Sequence, residues 1–247
     1  MTADVLTWSK RMTKTPQSKF WLRRLLSVVV LLLGIKVLAS ILWEYRRYFP
    51  PDFTSEFLTG RESHFWGLYS DVFYLHIVAG PLAVLLAATL LATGIYGQNL
   101  GTTRFVHKLS GHLLWPIVIV VIMPTGLLMA TRAFAGPVAG VAFALLSLFT
   151  GATAIQAVRF ARKHNFAQHR RWATRCIVLL FSPLLLRLIG GFLSLLPLNS
   201  PVYYQINAWI SWVLPLLAVE LFFVRRRSWQ SESASKPVSH PQSLVNA

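Results

Sequence analysis

Residues 72–96 read VFYLHIVAGPLAVLLAATLLATGIY, a run with no Lys, Arg, Asp or Glu. A helix needs roughly 20 predominantly apolar residues to cross a hydrocarbon core, so this run is long enough to span a membrane. Leu25–Trp43, Leu109–Ala130, Pro137–Val158, Ala173–Leu195 and Val202–Val224 meet the same standard. The first follows a basic segment, yet it is too long for a signal-peptide core and has no small-x-small cleavage site, so it reads as a retained span. Across all 247 residues, 55% are hydrophobic and 13% charged, against about a quarter charged in soluble domains. These features define an all-α integral membrane protein with six transmembrane helices.

The charge distribution orients the spans. Lys and Arg number 24 against 8 Asp and Glu, for a formal net charge of +16. A nucleic-acid-binding domain would gather its cations on one soluble face; here they fall between apolar runs, which excludes nucleic acid and leaves the lipid bilayer as the expected partner. Eighteen of the 24 cations precede span one, separate spans two and three or four and five, or follow span six. Only Arg46, Arg47, Arg61 and Arg132 fall between spans on the opposite side, together with five acids. The excess marks the cytoplasmic side, so both termini are expected in the cytoplasm and the protein in a bacterial inner membrane. Trp21, Trp115 and Trp172 at the inner ends, with Trp43, Tyr74, Tyr203, Tyr204 and Trp209 at the outer ends, fit interfacial belts.

The chain then divides into a basic segment at 1–24, a first span at 25–43, an external loop at 44–71 and a four-helix core at 72–195. The sixth span with its flanks occupies 196–227, and 228–247 reads as a disordered tail rich in Ser, Pro and Gln. The loop has no assignable fold. Pro81, Pro116, Pro124, Pro183 and Pro215 each free a carbonyl inside a span and are expected to kink it. Gly136 and Gly140 form a small-xxx-small face for close helix packing.

There is no Gly-x-Ser-x-Gly elbow, Walker loop, Gly-x-Gly-x-x-Gly or His-Glu-x-x-His. Cys176 is the single cysteine, which excludes an intramolecular disulfide and Cys-based metal or haem attachment. No catalytic residue is therefore assigned. The chemistry falls to histidine, a neutral ligand for haem iron and divalent metals. His107 and His112 lie at the inner start of span three, His169 leads into span five, and His76 lies in span two. Five residues apart on one helix, His107 and His112 point roughly 140° apart, so an inner site pairs one of them with His169. The plainer reading is that these rings bond backbone carbonyls or line the interface. Lys36, His76 and Arg187 could form an outer cationic pocket for an anionic group such as a haem propionate, while Glu220 could pair with a basic inner neighbour; Arg175 is a further candidate residue.

Three blocks carry a family resemblance: Tyr74-Leu-His76-Ile-Val-Ala-Gly80-Pro81, Arg104-Phe-Val-His107-Lys-Leu-Ser-Gly111, and His169-Arg170-Arg171-Trp172-Ala-Thr-Arg175 with Leu-Leu-Leu-Arg187 beyond it. The run from Tyr74 to Arg187 resembles the bacterial predicted-membrane-protein family called domain of unknown function 2306. The resemblance implies a four-helix core of spans two to five, with spans one and six as additions. It implies no activity. The second block departs from the family pattern by reading His107-Lys108 in place of His-Arg. Histidine-bearing bundles of this kind also resemble di-haem cytochrome b carriers at fold level. Two functions follow: a non-enzymatic membrane protein binding a small ligand, lipid or partner, or a b-type haem electron carrier using His107 or His112 with His169.

Overall fold

The structure is a computed structural model describing residues 17–55, 57–96, 101–195 and 200–235. Its elements among those residues are helical, and six helical segments are long and apolar enough to cross a membrane. The chain forms two compact units, Met1–Ser55 and Glu56–Ala247.

The first unit contains α1 (Gln17–Glu44) and a 3-10 turn at Tyr45–Arg47. Arg47 Nε donates to Asp52 Oδ2 at 3.0 Å and Nη1 to Glu44 Oε1 at 3.4 Å. Asp52 Oδ1 also accepts from the Thr54 amide at 2.9 Å and the Thr54 hydroxyl at 2.6 Å. The Arg46 guanidinium lies 3.2 Å from the Trp43 ring centre. Two of the four arginines on the cation-poor side are thus engaged locally.

The second unit begins with the later half of the long loop, and that half is folded. A short helix α2 (Glu62–Phe65) precedes α3 (Leu68–Tyr96). Leu58, Phe65 and Phe73 are completely buried. Phe65 meets Phe73 edge-on at 5.4 Å, while Phe57 stacks on Phe73 at the same separation. Such aromatic contacts each add about 0.5–1.5 kcal/mol beyond area burial. The loop lacks a regular apolar period because its order comes from this cluster.

Span three is continuous but changes register. It runs as α4 (Gly101–Pro116), a π-helical stretch Ile117–Ile122, and α5 (Met123–Ala130). Pro124 lacks an N–H, and its ring would clash with the carbonyl four residues back in an α-helix. The wider i→i+5 register relieves that clash, and the Met123 amide accordingly donates to the Val118 carbonyl. The Thr125 hydroxyl donates to the Val121 carbonyl at 2.6 Å, satisfying a backbone acceptor beside the proline. The span starts about two turns before the expected Leu109, which puts His107 inside the helix.

Helices α6 (Pro137–Arg162), α7 (Phe166–Leu193) and α8 (Pro201–Ser235) complete the unit. Ala83, Ala87, Leu114, Val118, Ala154, Cys176 and Leu180 form a core fed by α3, span three, α6 and α7. Small side chains dominate it because close approach and dispersion, rather than exclusion of water, hold helices together in lipid. A β-carbon at Gly140 would lie 2.7 Å from the Ala130 carbonyl oxygen, so α6 passes directly against the end of α5. Helix α8 joins through Ala208, packed with Ala139 and Ala142 of α6. It extends to Ser235, into the stretch expected to be disordered. The rest of that tail, and most of the basic N-terminal segment, lie outside the described residues.

Candidate functional site

Two ends of the second unit need separate names: a loop end, where α2 meets α3, and a basic end, where α6 turns into α7. Near the loop end, His76 of α3 meets Thr125 of α5, with Nδ1 and Oγ1 2.8 Å apart. The Thr125 proton already goes to Val121, so its oxygen accepts and His76 Nδ1–H donates. At the basic end the pairing is reversed. His107 of α4 meets Thr93 of α3 at 2.8 Å, and the Thr93 hydroxyl already donates to the Thr89 carbonyl at 2.7 Å. Spans two and three therefore exchange reciprocal His–Thr bonds, one near each end. Thr93 and Thr125 escaped the sequence analysis; their signal is a hydroxyl inside an otherwise aliphatic run.

The other two candidate histidines follow the same rule. His169, in the first turn of α7, donates from Nδ1 to the Ala157 carbonyl of α6 at 2.9 Å. His112 donates from Nδ1 to the Lys108 carbonyl of its own helix at 2.7 Å. A carbonyl only accepts, so the proton is on Nδ1 in both rings. A neutral ring that donates from Nδ1 has Nε2 as its acceptor, and no hydrogen bond to any of these four Nε2 atoms occurs among the described residues. His112 is exposed, whereas His76, His107 and His169 are partly buried. His107 and His169 lie within electrostatic reach of each other. No group of three or more His, Cys, Asp or Glu that could hold a metal ion occurs among the described residues.

Arg175 of α7 pairs with Glu220 of α8: Nε donates to Oε1, and Nη2 donates to Oε2 at 2.8 Å. The guanidinium also lies 4.6 Å from the Trp172 ring centre and 5.5 Å from that of Phe223. Arg187 is exposed on α7 and makes no hydrogen bond or ion pair among the described residues, including none with His76. Lys36 is exposed on α1, in the first unit.

A cavity of about 360 Å³ opens at the loop end, lined by Thr59, Gly60, Arg61, His64, Tyr69 and the turn Arg132–Ala135. Arg61 Nη1 donates to the Tyr69 hydroxyl at 2.7 Å and to the Arg132 carbonyl at 3.1 Å, and its guanidinium sits 4.3 Å from the Phe57 ring centre. The turn is pinned from α8 by Gln205, whose Nε2 donates to the Ala135 carbonyl at 2.7 Å. Sequence reading placed Arg61 and Arg132 on the cation-poor side without joining them; their separation along the chain hid the pocket.

These features define a helical, multi-pass membrane protein with histidines tying its core. The family model described as "Predicted membrane protein (DUF2306)" matches residues 73–223, and the chain belongs to that family. The match continues through most of the sixth span, beyond the run that carried the sequence resemblance. No curated protein and no solved structure matches the chain.

Proposed function

We propose that this is a non-enzymatic ligand-binding protein of a bacterial inner membrane, with both termini cytoplasmic and residues 44–71 outside. The topology rests on the placement of 18 of the 24 Lys and Arg on one side. Alkaline phosphatase fused within residues 57–62 should be active and a C-terminal fusion inactive; the reverse pattern would overturn the orientation.

The binding role rests on one observation: His76, His107 and His169 each engage Nδ1 within the protein, in spans that are largely apolar, and their Nε2 atoms have no hydrogen-bond partner among the described residues. An acceptor without a donor in that setting carries a desolvation cost, which a ligand with a hydroxyl, an amine or a Lewis-acidic centre would offset. Native mass spectrometry of the purified chain should show a co-purifying small molecule or lipid. Its occupancy should fall about tenfold, equivalent to about 1.4 kcal/mol, in His76→Phe or His107→Phe. Wild-type protein carrying nothing, or variants retaining full occupancy, would overturn the role.

A second reading is favoured by the pairing at the basic end. Ligating histidines are typically oriented through a hydrogen bond from the other ring nitrogen, and both His107 and His169 meet that condition. Those two would hold a b-type haem, with Arg187 a candidate for a propionate; bound haem would supply one-electron transfer. His112, exposed and turned to its own helix, fits less well. The test is an optical spectrum of detergent-purified protein from haem-replete cells, oxidised and then reduced. A sharp Soret and α band lost in His169→Ala would support haem, and a featureless spectrum from folded protein would sink it.

A further inference from the structure

We propose that the loop-end cavity is a receptor site for a phosphate group, independent of the core histidines. Four arginines lie between spans on the side with few cations. Arg47 is neutralised by Glu44 and Asp52, and Arg46 stacks on Trp43. Arg61 and Arg132 form no salt bridge among the described residues, although they are 71 positions apart, and both line one cavity. The fold brings Arg61 and Arg132, neither in an ion pair among the described residues, to the lining of one cavity.

The Arg61 fork is held in place before any ligand arrives. Its Nη1 bonds to Tyr69 and to the Arg132 carbonyl, and its face rests on Phe57. Those bonds leave the Nε and Nη2 donors for a ligand among the described residues. The Arg132 side chain makes no hydrogen bond or ion pair among the described residues and adds a second complete fork. Planar forks match phosphate oxygens in pairs, and charge-assisted bonds are about twice as strong as neutral ones. His64 on the wall adds an ionisable imidazole.

Size and surroundings narrow the ligand further. A cavity of about 360 Å³ far exceeds the roughly 30 Å³ share of one water, so it has room for a phosphate carried on a larger molecule. Phe134, 52% exposed, and the Tyr69 ring give the cavity an apolar rim beside the start of α3. Helix ends lie at the membrane surface. The phosphate therefore comes from an anionic lipid headgroup or from a soluble phosphoester arriving there.

The test uses the full chain in nanodiscs. In one arm, phosphatidylcholine discs are titrated with glycerol 3-phosphate, with succinate and glycerol as controls. In the other, discs containing phosphatidylglycerol are analysed by native mass spectrometry for retained lipid. Saturable glycerol 3-phosphate binding supports the proposal and assigns a soluble phosphoester; retained phosphatidylglycerol alone supports it and assigns a headgroup. In either case Arg132→Gln should weaken binding about tenfold, a 1.4 kcal/mol loss. Arg132→Lys should recover part of it, since charge returns without the fork. The Arg132 side chain is exposed and makes no hydrogen bond or ion pair among the described residues, so an unchanged ligand-free unfolding midpoint will show that the variant is folded. Two silent arms, undiminished binding in Arg132→Gln, or succinate binding as tightly as the phosphoester would overturn the proposal.

Discussion

Gly140 and Gly191 both sit in helices, yet a β-carbon would meet different surroundings. At Gly140 it would lie 2.7 Å from a backbone carbonyl that cannot rotate away; at Gly191 it would meet nothing within 4 Å. Gly140→Ala should therefore lower stability by about 1–3 kcal/mol through overpacking. Gly191→Ala should be neutral or stabilising through helix propensity. Unfolding midpoints in detergent would compare them, and equal midpoints would refute a fixed α5–α6 spacing. Thr125→Val keeps the shape but removes the acceptor for His76 Nδ1–H, at an expected cost of about 1–3 kcal/mol. A midpoint matching wild type would mean that the His–Thr bond does not hold the spans. Outside the spans, hydrogen bonds from the Thr54 hydroxyl and amide, then from Arg47, hold the Asp52 carboxyl below its ordinary 3.8. A folded-state pKa below the unfolded one stabilises the turn above pH 3.8, and that contribution is lost as pH falls through the folded value. Thr54→Val should move the Asp52 titration, followed by carboxyl NMR, back toward 3.8.

At the scale of elements, the π-helical stretch in span three is an accommodation to Pro124 that places Thr125 opposite His76. A π-turn is equivalent to one inserted residue in an α-helix. Deleting the exposed Val120 from that stretch should return it towards α geometry and be tolerated better than deleting exposed Val141 from regular α6. A deletion in α6 rotates everything beyond it by about 100°. Yield and thermal midpoint of the two folded proteins would decide, and equal damage would contradict the insertion reading. Helix α2 shows the complementary case. Its four residues hold no stable helix alone, and it persists because Phe65 is buried within an aromatic cluster.

For the molecule as a whole, the Arg175–Glu220 pair fastens α8 to α7 with two charge-assisted bonds. Arg175 is 18% exposed and Glu220 40%, so this pair stands between surface and buried ion pairs. Removing one partner strands the other. Glu220→Leu alone should cost about 1–3 kcal/mol, less than a fully buried pair would, whereas Arg175→Met with Glu220→Leu should recover part of the loss. A double-mutant cycle on the detergent unfolding midpoint measures the coupling, and strictly additive losses would remove the pair as a fastening.

The six apolar stretches and the cation-rich side were legible without a structure. Span length and charge side are properties of consecutive residues, and lipid reads them locally. The ion pair was partly legible because an acid within a basic-rich half invites a partner. Which histidine faces which threonine was hidden: an apolar helix carries no periodic signal for its rotation about its axis. The folded loop was hidden for a related reason, since Leu58, Phe65 and Phe73 acquire a common interior only when the chain turns back on α3. Arg61 and Arg132 show the same division, because neighbouring residues show only that each lies between apolar stretches. Their meeting around one cavity was decided by α2, α3 and the α5–α6 turn packing together, a long-range event with no local pattern.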